Sequence, residues 1–437
     1  MLIFTIMEKT NIAKDASLIP SFLTGVYLGI NAISDSYLIL EGTDCVENNK
    51  IETICPSHDI YSTILISGGI SRIISTRSSI KEIIYGRNEN FIKIFQDLTF
   101  YKPGIIFISS LPIYTIIGKD YLKTINAIRK LSYNKIIDVF PNSVNLDYLD
   151  GYSLVLEKLA LNIEFKKVSN DKKKIGIVGY FFDRNEGDHK GNIKEIKRLL
   201  SKLGLEVVSI WLDGNKFEEL LKIQEAGIII SLPYARNAAK IIASKIGAQL
   251  LETDLPFGFY QTAKWIETIG SASSIDKKKI QKIIKDELQY SYEICHIPIS
   301  SVISGKLVCF TGDPYIARSF FVFAKEIGMI VRGIFCTTLT LKDTNVPNQN
   351  CLYNPIIKFN TSRMEYEKII ENLHNNKECD LLISNSLGLR LKIKNLSIFE
   401  FGYPSYNTHF LVEKPFLGFT GAINIIERIF NAIHCKK

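Results

Sequence analysis

The stretch Cys309-Phe310-Thr311-Gly312-Asp313-Pro314, continued by Tyr315 to Gly328 and then Met329-Ile330-Val331, decides the fold. Lys306-Leu307-Val308-Cys309-Phe310 has the continuous apolar character of a buried strand. Gly312 allows an unusual turn backbone, Asp313 is a helix-capping residue, and Pro314 suits a first helical position. Ile316, Phe320, Phe323 and Ile327 recur at helical spacing, and Gly328 supplies a stop. A second apolar strand follows, so the segment opens a βαβ unit. The same grammar recurs near Lys174 and, less cleanly, near Tyr37.

Working outward, the alternation of apolar strands and amphipathic helices predicts a mostly parallel α/β chain of three domains in series. The expected boundaries are a lead-in over 1–17, a first domain over 18–170, a second over 171–292 and a third over 293–437. In the first domain, strands are expected at Tyr37–Leu40, Ile64–Ile66, Gly104–Ser110 and Ile136–Val139, with a helix from about Asp120 to Leu131. In the second, strands are expected at Ile175–Gly179, Val207–Trp211, Gly227–Ser231 and Gln249–Glu252. Helices are expected at Asn192–Leu203, Phe217–Gln224 and Ala235–Ile246, then a long bridging helix from Asp276 to Tyr292. The third domain adds a helix at Met364–Asn375, strands at Asp380–Ser384 and Leu396–Phe401, and a last helix from Gly421.

A chain of 437 residues is too long for one ordinary core, which agrees with several domains. The 53 basic and 45 acidic residues leave a formal charge of +8, but the lysines are dispersed. The runs Lys172–Lys174 and Lys277–Lys279 read as solvated helix ends and loops, and no basic face is interleaved with stacking aromatics, so nucleic acid is not an expected partner. No run of ~18 apolar residues exists, so no membrane span is expected. The apolar start Met1–Glu8 is too short for an export signal. The eight cysteines are scattered with no C-x-x-C pair, which fits reduced thiols in the cytoplasm.

There is no G-x-x-x-x-G-K-[ST], hence no recognisable ATP-binding loop. Gly176 and Gly179 fail the dinucleotide spacing and read as strand-edge glycines, leaving no NAD site. Asp183-Arg184-Asn185-Glu186-Gly187-Asp188-His189 follows a strand end, where open α/β sheets hold ligands; a solvated loop is the equal alternative. The six histidines are isolated, without zinc spacing. His58, near Cys55 and Cys45, is the one to watch, although it reads first as a surface histidine. Cys45 follows a strand end through Gly42 and Asp44. Iron–sulfur clusters take thiolates, occasionally replaced by another donor, and Asp44 can offer an oxygen. One cysteine cannot hold a four-iron cluster, so a second chain would supply the rest.

Several motifs, in order, then resemble one family. They are Gly312-Asp313-Pro314 with Phe323–Met329, Asp380–Gly388, Phe401–Tyr406 with Lys414–Ala422, and in support Leu255–Gly258 and Leu149–Tyr152. Together they resemble nitrogenase component 1-type oxidoreductase subunits. That group comprises the molybdenum–iron protein chains, their cofactor-assembly scaffolds and the dark-operative protochlorophyllide reductase chains. The resemblance runs from about Pro20 to the end. It implies three Rossmann-like domains around a central cleft. It also implies pairing with a related α-like subunit, as a heterodimer or heterotetramer, or with a second copy. Electrons would come from a separate iron-protein ATPase, consistent with the missing phosphate loop.

The departures from the family pattern carry as much information. Of three first-domain positions that hold an interface cluster in the family, one is Leu18 here and one falls in Ser110-Leu111-Pro112, while Cys45 keeps the second. The resemblance therefore implies a shared 4Fe–4S cluster with Cys45, or Asp44 beside it, as this chain's ligand; the alternative is that the cluster is lost. The positions nearest the cofactor ligands of the α-type chain are Ser231 and Gly402, and the N-S-x-G turn carries Leu387, so the chain looks more β-like. The implied activity is multi-electron reduction of a substrate the sequence does not name, with dinitrogen disfavoured. A non-catalytic maturation scaffold and a structural partner that has lost its cluster stay open. Cys309 and Cys379 read as core thiols and Cys435 as an exposed one.

Overall fold

The computed structural model describes residues 17–42, 57–64, 71–78, 89–111, 125–126, 129, 135–166, 171–339, 354–389, 391 and 393–434. The chain divides into two compact units. One comprises Ser21–His189 and Gly204–Thr253; the other comprises Met1–Pro20, Lys190–Leu203 and Asp254–Lys437. Every strand pairing among the described residues is parallel, in three separate sheets.

The first unit opens on α1 (Phe22–Asn31), β1 (Ser36–Glu41), β2 (Ile73–Ser75), α2 (Glu89–Thr99), β3 (Ile105–Ser110) and β4 (Ile136–Asp138). The order β2-β1-β3-β4 puts the first strand inside the sheet. Tyr37, Ile39, Ile106 and Ile108 on the sheet pack against Phe91, Phe95 and Leu98 of α2. The described part of the 64–75 region places its strand at Ile73–Ser75; residues 65 and 66 of the expected strand, and most of the expected 120–131 helix, lie outside the described residues.

Helix α3 (Tyr148–Asn162) starts on a full capping box: the Asp147 carboxylate accepts from Leu149 and Asp150 amides, and Asp150 reaches back to the Asp147 amide. All ten residues of α1 are buried, and the crossing with α3 is closed by glycine. A Cβ on Gly25 would lie 1.8 Å from the Tyr148 carbonyl oxygen, and one on Gly151 would lie 2.1 Å from that of Phe22. The two backbones approach as closely as they do because neither position has a side chain.

A second sheet follows from β5 (Lys174–Val178), helix α4 (Gly187–Leu203), β6 (Glu206–Ile210), α5 (Phe217–Leu221), β7 (Ile228–Ser231), α6 (Arg236–Ile246) and β8 (Gln249–Glu252). Its order β6-β5-β7-β8 repeats that of the first sheet. Helix α4 begins five residues earlier than its apolar spacing predicts. Gly179 is not a phosphate glycine: its φ is +86°, and a Cβ there would lie 2.5 Å from the Leu232 carbonyl oxygen.

The second unit continues with α7 (Phe259–Ala272), which has no counterpart in the expected elements, and α8 (Lys277–Pro298), longer than expected. Then come β9 (Leu307–Gly312), α9 (Pro314–Glu326), β10 (Ile330–Cys336), β11 (Ile356–Phe359), α10 (Arg363–Asn375), β12 (Leu381–Ser384), β13 (Ser397–Glu400) and α11 (Gly418–His434). The sheet order is β11-β10-β9-β12-β13, so the strand of the opening stretch is central. Asp313 caps α9 as expected, accepting from the Tyr315 and Ile316 amides at 2.8 and 3.1 Å, with Pro314 in the first turn. Gly312 differs from expectation. It is the last residue of β9 and lacks a positive φ; the turn needs no special backbone because Asp313 makes the cap. Gly328 does adopt φ +74°, ending α9 in the left-handed region.

Candidate functional site

In the two sheets of the first unit, the strand that comes first in the chain lies inside the sheet, with later strands on both sides. The carboxyl end of such a strand is the switch point where doubly wound sheets place ligands. Two notable segments leave those ends. Residues 43–56, with Asp44 and Cys45, follow β1; the Asp183–His189 stretch follows β5. Asp44 and Cys45 lie outside the described residues. What the structure places is the frame around them.

The upstream end of that frame is buried. Glu41 is paired in register with Ser110, and the Leu111 amide donates to the Glu41 carbonyl at 3.3 Å. Gly42 is held on both sides: its carbonyl accepts from the Ser78 amide and the Ser75 hydroxyl, and its amide donates to the Thr76 hydroxyl oxygen at 3.3 Å. The Ser110 region thus stands beside the point where the Cys45 segment begins. Leu18 is buried in the core of the second unit with Cys309, Tyr366, Leu373 and Cys379.

At the downstream end two readings of the sequence are corrected. His58 is fully buried, not a surface histidine, and Asp183, Arg184, Glu186, Asp188 and His189 are buried, not a solvated loop. The reason is mutual neutralisation, which lets charged groups leave water together. His58 Nε2 donates to the Asp183 carbonyl at 3.2 Å and lies 3.3 Å from its carboxylate Oδ2. The other carboxylate oxygen meets Nε2 of His189, whose Nδ1 is 2.8 Å from the Tyr180 hydroxyl. Arg184 binds Asp188 through Nε at 3.1 Å and sits 3.8 Å from Glu186. Burial alone would raise the Asp183 carboxyl, but the two imidazoles outweigh it and hold it well below its usual range. Burial alone would lower His189, but Asp183 and Asp188 outweigh it and raise its value.

The same loop grips the neighbours of His58. Asp59 Oδ2 accepts from the Asn185 amide and Nδ2, both at 3.0 Å, and from Asn31 Nδ2 at 2.8 Å. The Ile60 amide donates to Glu186 Oε1 at 3.3 Å. Further along, buried Arg72 donates to Thr63 O at 2.8 Å and to the carbonyls of Ile30, Ile33 and Ser36. The loop itself is set by Tyr152, whose hydroxyl donates to Tyr180 O at 2.9 Å and accepts from the Phe182 amide at 3.0 Å. Phe181 fills the gap between them, edge-on to Tyr152 and stacked on Tyr234 at 5.0 Å. Sequence reasoning singled out His58 and the Asp183–His189 stretch but not Asn31, Asp59, Arg72 or Tyr180, whose roles have no local signature.

The remaining positions weighed from sequence are structural. Ser231 is buried at the end of β7, where its carbonyl accepts from Arg236. Gly402 takes φ +91° and faces open space, and Leu387 packs on the core of the second unit. Cys295, Cys309, Cys336 and Cys379 are buried free thiols; burial pushes Cys295 up to about 11 and Cys336 to about 12, so neither of these two is a ready thiolate. Cys435 lies outside the described residues. Among the described residues, no group of three or more His, Cys, Asp or Glu is disposed to hold a metal ion. Nor is any helix among them long and apolar enough to cross a membrane.

Three parallel sheets, each with its first strand inside and later strands on both sides, define a multi-sheet Rossmann-like α/β protein. The chain belongs to the nitrogenase component 1-type oxidoreductase family, whose model matches residues 56–434. It is 22% identical over 397 residues to the nitrogenase molybdenum-iron protein beta chain of Frankia alni, covering 82% of this chain and 72% of that one. It is 22% identical over 352 residues to a light-independent protochlorophyllide reductase chain of Mesostigma viride, covering 76% and 67%. The solved structure of nitrogenase Cp1 at pH 6.5 superposes with a TM-score of 0.80 at 17% identity, over 96% of this chain and 93% of that one, a likeness of fold.

Proposed function

We propose that this chain is the β-like subunit of a nitrogenase-like reductase complex. It pairs with an α-like chain and contributes Cys45, or Asp44 beside it, to an iron–sulfur cluster shared with that partner. A separate ATP-dependent iron protein supplies electrons for multi-electron reduction of the substrate. The observation that carries this reading is where the Cys45 segment begins and ends: it leaves the buried edge at Gly42 and returns into the Asp183 network at His58. A thiolate donor on a short segment, fixed at both ends at a switch point, suits a soft-ligand iron site.

The donor set fits a one-ligand share and not a whole cluster. Leu18 is core, Ser110 and Leu111 offer no thiol, and Cys295, Cys309, Cys336 and Cys379 are buried, with burial pushing Cys295 up to about 11 and Cys336 to about 12. When bound, the cluster would pass single electrons; this chain's own residues hold its ligand segment in place. The second reading, a maturation scaffold without turnover, draws on the same loss of thiolate positions at Leu18 and Leu111.

The test is anaerobic co-purification with an α-like partner, followed by iron analysis and EPR. A cluster present in the complex and lost in Cys45→Ala supports the assignment to Cys45. A cluster kept in Cys45→Ala but lost in Asp44→Ala moves it to the neighbour, and no iron in any complex overturns the reading. Substrate reduction that requires both the iron protein and ATP separates the reductase from the scaffold.

A further inference from the structure

Helix α8 carries an apolar surface that its own chain leaves uncovered. Leu288, Tyr290, Tyr292, Ile294 and Ile297 of α8, with Tyr260 of α7, are between 38 and 65% exposed. The buried residues of the same helix, Ile280, Glu287, Ser291 and Cys295, mark the side that packs inward. Two cavities, about 720 Å³ between α7 and α8 and about 540 Å³ at the carboxyl end of α8, share Leu288 and Tyr292. A clustered apolar patch rimmed by polar residues marks an interaction surface. The outermost row of α8 holds Lys282, Gln289, Glu293 and His296, all exposed, so it is polar and of mixed charge. That mixture suits a protein surface; an anionic bilayer calls for an apolar face flanked by lysines, without the acidic residue.

We propose that this face of α8 binds a second copy of the chain, with the two α8 helices antiparallel about a two-fold axis at Gln289. Such an axis sets each residue that precedes Gln289 against the residue equally far beyond it on the other copy. Lys285 then faces Glu293 of the second copy, and the same pair recurs on the other side of the axis, so the attraction is made twice. Asp286 faces Tyr292 of the second copy, whose hydroxyl can donate to the carboxylate. Leu288 faces Tyr290 of the second copy, beside the two cavities, which leave room for the ring. Glu293 already accepts from Gln289 Nε2 at 2.8 Å, a bond that holds its carboxylate along the outer row. A parallel copy would put Lys285 on Lys285 and Glu293 on Glu293, which like-charge repulsion disfavours. The surface lies wholly within the second unit and does not depend on the role of Cys45.

The experiment uses the full chain, purified alone and with its α-like partner, and reads mass by analytical ultracentrifugation over a range of concentrations. Lys285→Glu and Glu293→Lys are compared with the double reversal Lys285→Glu/Glu293→Lys. A fourth variant, Lys278→Glu, makes the same charge change on α8 at a position that the axis sets against uncharged Ser300. The expected result is two copies of this chain per particle in wild type, and self-association weaker by about ten-fold or more in each single reversal. The double reversal regains wild-type association to within about three-fold, and Lys278→Glu stays inside the same margin. Lys278, Lys285 and Glu293 are all exposed, so melting temperatures stay at the wild-type value and a fall in mass reports the contact, not the fold. One copy per particle in wild type would overturn the proposal, as would single reversals that associate like wild type. A loss that the double reversal does not restore, or an equal loss in Lys278→Glu, would also overturn it and leave this face to the α-like chain or another protein. No iron signal is read, so failure of the Cys45 assignment and failure of this contact are told apart.

Discussion

Replacing Gly151 with alanine tests the packing that sets the first unit. The new methyl would lie 2.1 Å from the Phe22 carbonyl oxygen, 3.1 Å from Phe22 C and 3.1 Å from the Val26 amide nitrogen. Ordinary C···O contacts are ~3.3 Å or more, so α1 and α3 must separate by roughly 1 Å. These neighbours are backbone, with no flexible side chain to yield. Overpacking of this kind costs ~1–3 kcal/mol and sometimes more. A gap of ~1 Å along a buried seam also forfeits up to about half of each contact's dispersion. Alanine's better helix propensity returns only ~1 kcal/mol. The net loss is about 3 kcal/mol, which for a unit of this size lowers the melting temperature by roughly 6–12 °C. Scanning calorimetry on Gly25→Ala, Gly151→Ala and Gly29→Ala should rank the first two together and the third milder, since the methyl at 29 would meet only the Val155 side chain at 3.0 Å. A melting point within ~1 °C of wild type for both Gly25→Ala and Gly151→Ala would refute the close-approach argument.

Other outcomes follow from the same structure. Asp183 is held below its usual carboxyl value, so its stabilisation is complete above about pH 4 and is lost as the medium becomes more acid. His189 is raised, so its stabilisation is complete below about pH 6.5 and is lost as pH rises through its folded value. Melting temperature against pH should therefore fall on the alkaline side of about pH 6.5 in wild type, and His189→Gln should flatten that limb; an unchanged slope refutes the pairing. Arg72→Met should cost about 3 kcal/mol or more by denaturant titration, because several buried carbonyls each lose one charged donor at once. Asp313→Ala should cost ~1 kcal/mol by the same titration, the worth of one helix cap. Iodoacetamide at pH 8 should leave Cys295, Cys309, Cys336 and Cys379 unlabelled in the native chain and label all four after unfolding, read by peptide mass spectrometry.

The sequence by itself determined the repeating strand–turn–helix units, the apolar strand that opens the βαβ unit at Lys306–Phe310 and the cap at Asp313. Those depend on spacing within a dozen residues, and the chain carries that information locally. It also determined the family, through motifs such as Leu149–Tyr152 whose physical work the structure explains: Gly151 admits α1, and Tyr152 holds the 180–182 backbone. Only the tertiary structure decided that α7 exists and that Leu18 belongs to a core. It alone decided that His58 and the Asp183–His189 loop are interior. Burying a histidine or an aspartate is unfavourable for either alone and becomes acceptable when each finds its counter-charge. Within the loop the pairs Asp183–His189 and Arg184–Asp188 are local, but His58 and Asp183 lie 125 residues apart, and no periodicity in the sequence connects them. The opening stretch builds the third sheet; His58 and the Asp183–His189 loop meet only where the first two sheets bring their switch strands into one unit.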